Sequence, residues 1–232
     1  RTHPKLDFGF AKTHYQFSEA LPFKQETCGF IYILRNPIDV LISNYNYFLR
    51  TSNISPEESE SKNLKELYVK SFIKNGGDNR WIKVGIGSWI DNLKSWLTVS
   101  KEYPSCFVKY EEMKADPKGT ITQLANFLGL DKTQQEISDT VLACSFTKMQ
   151  ALERTEMKEK APGMFYYADR DQRHSDKNNF VRKGRSDFGK KELPPELREM
   201  AVKYFKPALD WLKYETDLDM PQHAEAATEA KR

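Results

Sequence analysis

Three cysteines in 232 residues, Cys28, Cys106 and Cys144, are too few and too scattered for a disulfide framework. No CxxC or CxxH spacing joins them, which leaves a structural zinc site without ligands and makes a reducing, cytoplasmic setting the expectation. Charge of one sign is lacking too. The 36 Lys and Arg face 33 Asp and Glu, a net charge of +3, and this excludes a histone-like polyanion binder as a description of the whole chain. Long hydrophobic runs are missing. The longest, Gly29 to Leu34, is far short of the ~20 residues that span a bilayer, so no membrane segment is expected. The first residues, Arg1-Thr2-His3-Pro4, carry neither Met nor an apolar leader, and the expectation is a chain that is part of a longer protein. What is present is a 39% hydrophobic share, with aromatics at 12%, enough side-chain bulk for a real core.

The most informative stretch is Gly29-Phe30-Ile31-Tyr32-Ile33-Leu34-Arg35, a continuously apolar run that predicts a strand buried on both faces of a parallel sheet. Asn36-Pro37-Ile38-Asp39 follows at once. Asn suits an N-cap, Pro the first helical position, and an acid at the third position suits the positive helix end. The helix should run to about Arg50, completing an α/β unit. Shorter strands are predicted at Phe8–Lys12 and Cys106–Lys109, and a loop over residues 51–61. Further helices follow from apolar stripes at Leu64/Leu67/Tyr68/Phe72, stopped by Gly76-Gly77, and at Trp89/Leu93/Trp96/Leu97. Asp116-Pro117 caps another, and Thr133-x-x-Glu136 is a capping box opening the next. A late helix carries Leu197, Met200, Ala201, Tyr204 and Phe205, and Pro207 should kink or end it. Residues 1–214 read as one domain and 215–232 as a polar, acidic tail.

Three constellations could carry chemistry. Arg35 stands at a strand's carboxyl end, where open α/β sheets bind ligands, and Ser43 lies two helical turns beyond Asn36. A guanidinium and a hydroxyl aimed at one point suit a phosphate, while the plain alternative is a salt-bridged Arg and a polar helix position. Arg182-Lys183-Gly184 sits in a stretch, Lys177–Lys191, with six basic residues and one acid. Two cations and a flexible backbone N–H can approach one anion closely; taken alone, the stretch reads more readily as a solvated basic loop or a weak nucleic-acid patch. Lys12-Thr13-His14 places a cation and an imidazole on one side of a strand end, and repulsion from the Lys favours a neutral His near pH 7. A surface Lys and a hydrogen-bonded His are the alternative. His3, His174 and His223 have no metal-ligand spacing, and no GxSxG, HExxH or GxGxxG occurs.

Together and in order, these pieces resemble the cytosolic-type sulfotransferase family. Residues 31–43 are similar to its 3′-phosphate-binding strand and helix. Gly87-Ser88-Trp89 with Trp96 resembles its GSW helix, and Lys109-Tyr110-Glu111-Glu112-Met113-Lys114-Ala115-Asp116-Pro117 its YEDMK-x-DP segment. Cys144-Ser145-Phe146-Thr147-Lys148-Met149 is similar to its TSF-x-x-M stretch, Arg182-Lys183-Gly184 to its RKG motif, and Lys12-Thr13-His14 to its KTH motif.

The resemblance implies an α/β, P-loop-kinase-like fold: a three-layer sandwich with a central parallel sheet flanked by helices. It implies 3′-phosphoadenosine 5′-phosphosulfate (PAPS) as sulfuryl donor, 3′-phosphoadenosine 5′-phosphate (PAP) as product, and no metal. Arg35, Ser43, Arg182, Lys183 and Gly184 would hold the 3′-phosphate, with Tyr110 and Phe146 near the adenine. His14 would be the general base toward a small-molecule hydroxyl, less readily an amine, and Lys12 would add positive charge near the transition state. The sequence departs from the family at three points. Cys144 replaces a Thr, Asp187-Phe188-Gly189-Lys190 replaces GDWKN, and no PKSGTTW-like loop for the 5′-phosphosulfate occurs. A PAP-binding module without transfer activity is therefore an alternative, and an RNA- or polyanion-binding protein resting on Lys177–Lys191 a more distant one, since that stretch offers only Phe180 and Phe188 for stacking.

Overall fold

The strand, turn and helix read at residues 29–50 form as expected. In the computed structural model, which describes residues 9–22, 24–52, 54, 55, 57, 61–160, 162–166, 181 and 192–214, strand β1 (Phe30–Leu34) leads into helix α1 (Pro37–Thr51). Asn36 caps α1 by accepting the Ile38 N–H on Oδ1 at 2.9 Å, and Pro37 occupies the first helical position, where its missing N–H costs nothing.

The chain divides into two compact units, 1–30, 56–105 and 194–232 in one, 31–55 and 106–193 in the other. The described helices of the first unit are α2 (Lys62–Asn75), α3 (Asn79–Lys83), α4 (Trp89–Val99) and the late helix, residues Pro195–Trp211, which becomes α9 in chain order. Gly76 ends α2 in the left-handed conformation at φ 67°. The core of this unit is aromatic. The Phe72 ring meets Trp81 edge-on at 5.5 Å and Phe205 at 6.5 Å, and Phe205 meets Trp89 at 6.1 Å.

The second unit holds most of β1, with α1, β2 (Ser105–Lys109), α5 (Tyr110–Ala115), α6 (Pro117–Phe127), α7 (Gln134–Ala143) and α8 (Phe146–Glu159). Strands β1 and β2 pair in a parallel sheet. Leu34, Cys106 and Val108 are buried there together with Ile38, Leu41, Ile42 and Tyr45 of α1. Asp116 caps α6, accepting the Gly119 N–H at 2.9 Å. Thr133 and Glu136 close the capping box of α7, where Lys132 first, then the Thr133 hydrogen bonds, hold the Glu136 carboxyl down to about 2.

Three expectations are corrected. Of the strand expected at Phe8–Lys12, the described residues 9–12 form none: Gly9 makes a single β-bridge, and residues 10–14 are irregular. A strand needs a partner as well as a sequence, and composition alone does not supply one. β1 is not buried on both faces, for Ile33 is 63% exposed. Of the two outcomes expected at Pro207, a kink or an end, the end does not occur, for the late helix continues to Trp211. Phe205 and Leu209, both fully buried, hold the helix on either side of the lost hydrogen bond. Residues 215–232, read as a tail, lie outside the described residues.

Candidate functional site

In the first unit, the segment after Lys12-Thr13-His14 is tied to α4 and the loop before it by its backbone. Asn92 Nδ2 donates to the His14 carbonyl at 3.1 Å, and Trp96 Nε1 donates to the Tyr15 carbonyl at 3.1 Å. The Gln16 N–H donates to the Gly85 carbonyl at 3.2 Å, and the Phe17 N–H to Ser95 Oγ at 2.9 Å. Phe17 then packs edge-on against Trp96 at 5.4 Å. Gly87 is needed at this approach. Its φ is +81°, and a Cβ there would lie 2.5 Å from Gln16 Oε1. Gly87 and Trp96 thus both lie against the segment that follows His14. Ser88 caps α4 by accepting the Asp91 N–H at 3.0 Å.

This anchoring uses main-chain groups and leaves the side chains of Lys12 and His14 outward, both residues being exposed. Neighbouring atoms still crowd the His14 ring enough that desolvation lowers its pKa below the usual 6.5, and Lys12 lowers it further. The imidazole is therefore largely neutral at pH 7, as a proton acceptor must be. The Lys12 contribution was legible from sequence; desolvation, the larger cause, was not, and the strand geometry invoked for the pair does not form. A cavity of about 520 Å³ in the same unit is lined by Glu19, Leu21, Lys24, Gln25, Glu26 and Tyr103, none of them a candidate site residue.

In the second unit, Arg35 leaves the carboxyl end of β1 and lies over the Tyr110 ring, 4.5 Å from its centroid, with Nη2 3.7 Å from Asp39 Oδ2. The Asn36 N–H donates to Glu111 Oε1 at 2.9 Å, which ties the start of α1 to α5. Lys114, one turn along α5, carries its ammonium 5.7 Å from the Phe146 ring centroid at the start of α8. The β1–α1 turn and α5 therefore bring Arg35 and Tyr110 together, and Phe146 meets Lys114 one turn further along α5. Ser43 is exposed on α1, one turn beyond Asp39. Cys144 is an exposed free thiol at the end of α7. Arg182, Lys183 and Gly184 lie outside the described residues; Val181, just before them, lies within.

Sequence reasoning missed the polar row of α8. Gln150, Glu153 and Glu156 recur every three residues on one face of the helix. Gln150 Nε2 donates to the Val181 carbonyl at 3.0 Å, and the Val181 N–H donates to Glu153 Oε2 at 2.9 Å. Glu156 accepts the Met164 N–H on Oε1 at 3.0 Å, and the Phe165 and Tyr166 N–H groups on Oε2 at 2.7 and 3.1 Å. Both glutamates are buried, Glu153 completely. Gly163 lets the chain pass, since a Cβ there would sit 2.2 Å from Glu156 Oε1. A Glu in a charged helix reads as a solvated face, and nothing local marks these two as buried acceptors.

Among the described residues no cluster of three or more His, Cys, Asp or Glu is arranged to hold a metal ion, and no helix is long and apolar enough to cross a membrane.

The fold and these two neighbourhoods define an α/β protein with a cation at a strand-to-helix turn stacked on an aromatic ring, and comparison with known proteins gives it a family. The sulfotransferase domain matches residues 4–213, a span running through both units, and the chain belongs to that family. Rat sulfotransferase 1C2 is 34% identical over 140 residues, 60% of this chain and 43% of that protein. Mouse sulfotransferase 2A6 is 33% identical over 129 residues, 55% of this chain and 39% of the other. The chain thus spans about two-fifths of the length of these curated relatives. In fold, it is similar to mouse sulfotransferase SULT7A1 complexed with PAP, with a TM-score of 0.56 at 24% identity, covering 81% of this chain and 61% of that one. Retinol dehydratase, in complex with androsterone and the inactive cofactor PAP, gives a TM-score of 0.57 at 19% identity, covering 86% and 51%.

Proposed function

We propose that the protein transfers the sulfuryl group of PAPS to a hydroxyl of a small molecule. The observation that carries this reading is the seat of Arg35: a guanidinium at the carboxyl end of a parallel strand, stacked on Tyr110, at the turn into a capped helix. Family membership supports it, and so do relatives named as sulfotransferases and fold neighbours that hold PAP.

In this reading Arg35 and Ser43, with Arg182, Lys183 and Gly184, bind the donor's 3′-phosphate, while Tyr110 and Phe146 face the adenine. The acceptor oxygen attacks sulfur as its proton passes to the neutral His14. The bond from sulfur to the 5′-phosphate oxygen breaks, and PAP leaves with that electron pair. Lys12 stabilises the negative charge that develops. The setting is cytoplasmic and the acceptor a small molecule.

A second reading is a PAP-binding module without transfer activity, which the fold neighbours that hold PAP support equally. Sulfur-35-labelled PAPS incubated with the intact protein and a panel of phenols, alcohols and amines separates the two. Label on a hydroxyl acceptor is the expected result. Tight PAP binding with no label on any acceptor supports the module instead.

A further inference from the structure

Residues 10–14 belong to no helix or strand ladder, so regular backbone pairing does not fix the place of His14. Side chains from one face of α4 do. An amide NH2 carries two donors, and Nδ2 of Asn92 reaches two carbonyls. It donates to His14 at 3.1 Å and to Ile86 at 2.7 Å, so one side chain ties residue 14 to the loop that opens α4. That loop is itself held, because the Ile86 N–H donates to the Trp81 carbonyl at 2.9 Å. Ser95, three residues along α4, spends its hydroxyl proton on the Asn92 carbonyl at 2.7 Å. Its oxygen then accepts the Phe17 N–H at 2.9 Å. Residues 14 and 17 are three apart, as are Asn92 and Ser95. The segment is therefore joined to the helix at two points and cannot pivot about either.

We propose that Asn92 and Ser95 are positioning residues for the proton acceptor: they fix the backbone of residues 14–17 so that the His14 ring meets the acceptor hydroxyl at one place. This rests on the role given to His14 under Proposed function. Such preorganisation matters because a displacement of about 1 Å at a reacting group can cost about 10²-fold in rate. The ring's own titration reports on the anchor. Desolvation is the larger cause of its lowered pKa and Lys12 the second, and desolvation lasts only while the segment stays where it is. Asp91, the acid beside Asn92 on α4, accepts from Ser88 Oγ at 2.6 Å.

The test uses Asn92→Leu, which keeps the shape of the side chain, removes both donors and adds no charge near the ring. Two quantities are read on the intact protein: kcat with sulfur-35-labelled PAPS and a phenol, and the His14 titration by NMR. The His14 signal is the one missing from His14→Ala. In Asn92→Leu, kcat per folded molecule should fall by about 10- to 100-fold with PAP affinity unchanged. The His14 pKa should rise toward 6.5 as the ring gains water. Asn92→Gln retains the NH2 and should recover part of both effects. Ser95→Ala should act in the same direction by a smaller factor, and it carries the test if Asn92→Leu does not fold. A role in stability alone lowers the melting temperature and moves neither quantity. An unchanged kcat per folded molecule in both Asn92→Leu and Ser95→Ala overturns the proposal; if His14→Ala loses turnover in the same assay, the base assignment stands without it. Normal turnover in His14→Ala removes the base assignment, and the positioning role falls with it.

Discussion

The His14 segment and the Arg35 neighbourhood are built in opposite ways. Around His14, side chains of α4 hold the backbone: Asn92 and Trp96 donate to the carbonyls of residues 14 and 15, and Ser95 accepts the N–H of residue 17. The functional side chains are left exposed. Around Arg35, the candidate side chain itself is packed, over Tyr110 and beside the buried Asp39, and the Glu111 carboxylate takes the N–H of the next residue, Asn36. In the proposed roles, a proton acceptor must reach a substrate that comes and goes, which suits a fixed chain and an open ring. A phosphate site gains from a guanidinium whose rotamer is already chosen, because less freedom is lost on binding.

This contrast can be broken at either end. The largest effect is expected from His14→Ala, which should lower turnover by ~10²–10⁴-fold while leaving PAP affinity in calorimetry nearly unchanged. A lowered melting temperature with normal turnover per folded molecule would instead make His14 structural. Next, Phe72→Ala removes a ring that is 2% exposed and should cost ~3–5 kcal/mol in denaturant unfolding. It should leave the preference for PAP over adenosine 5′-phosphate intact, because the residues proposed to bind the nucleotide belong to the other unit.

Arg35→Ala should weaken PAP by ~10- to 150-fold, the loss of one or more charge-assisted contacts. Because Asp39 stays buried with its pair removed, a melting scan of the same variant should also show destabilisation. The smallest effect sharpens the electrostatics of the first region. The His14 pKa lies below 6.5, with desolvation the larger cause and Lys12 the second, so the acid limb of turnover against pH should fall below pH 6.5. In Lys12→Met the repulsion is gone, the His14 pKa rises, and the limb should move to higher pH. An unmoved limb would mean that Lys12 does not face the titrating ring.

What was legible in the sequence was local. Asn36-Pro37, Asp116-Pro117, Thr133-x-x-Glu136 and the left-handed Gly76 each need only their own few residues to form a cap or a stop, and each formed. The candidate site was legible where motifs have fixed spacing: Arg35 and Tyr110 do meet, although 75 residues separate Asn36 from Glu111 in the bond that joins their elements. What failed depended on partners elsewhere in the chain. A strand at residues 8–12 needed a neighbour among the described residues that would take more than Gly9, and burial of Ile33 needed a cover on its face. Glu153 and Glu156 were invisible because a buried glutamate and a solvated one look the same in sequence; only the returning N–H groups of residues 164–166 and 181 distinguish them.

The central claim is that the second unit recognises a nucleotide by its 3′-phosphate. Calorimetric titration of the unmodified protein with PAP, and then with adenosine 5′-phosphate under the same conditions, tests it most directly. PAP should bind at least about tenfold more tightly, the minimum expected from one charge-assisted contact to the additional phosphate. Equal affinities for the two nucleotides would contradict it.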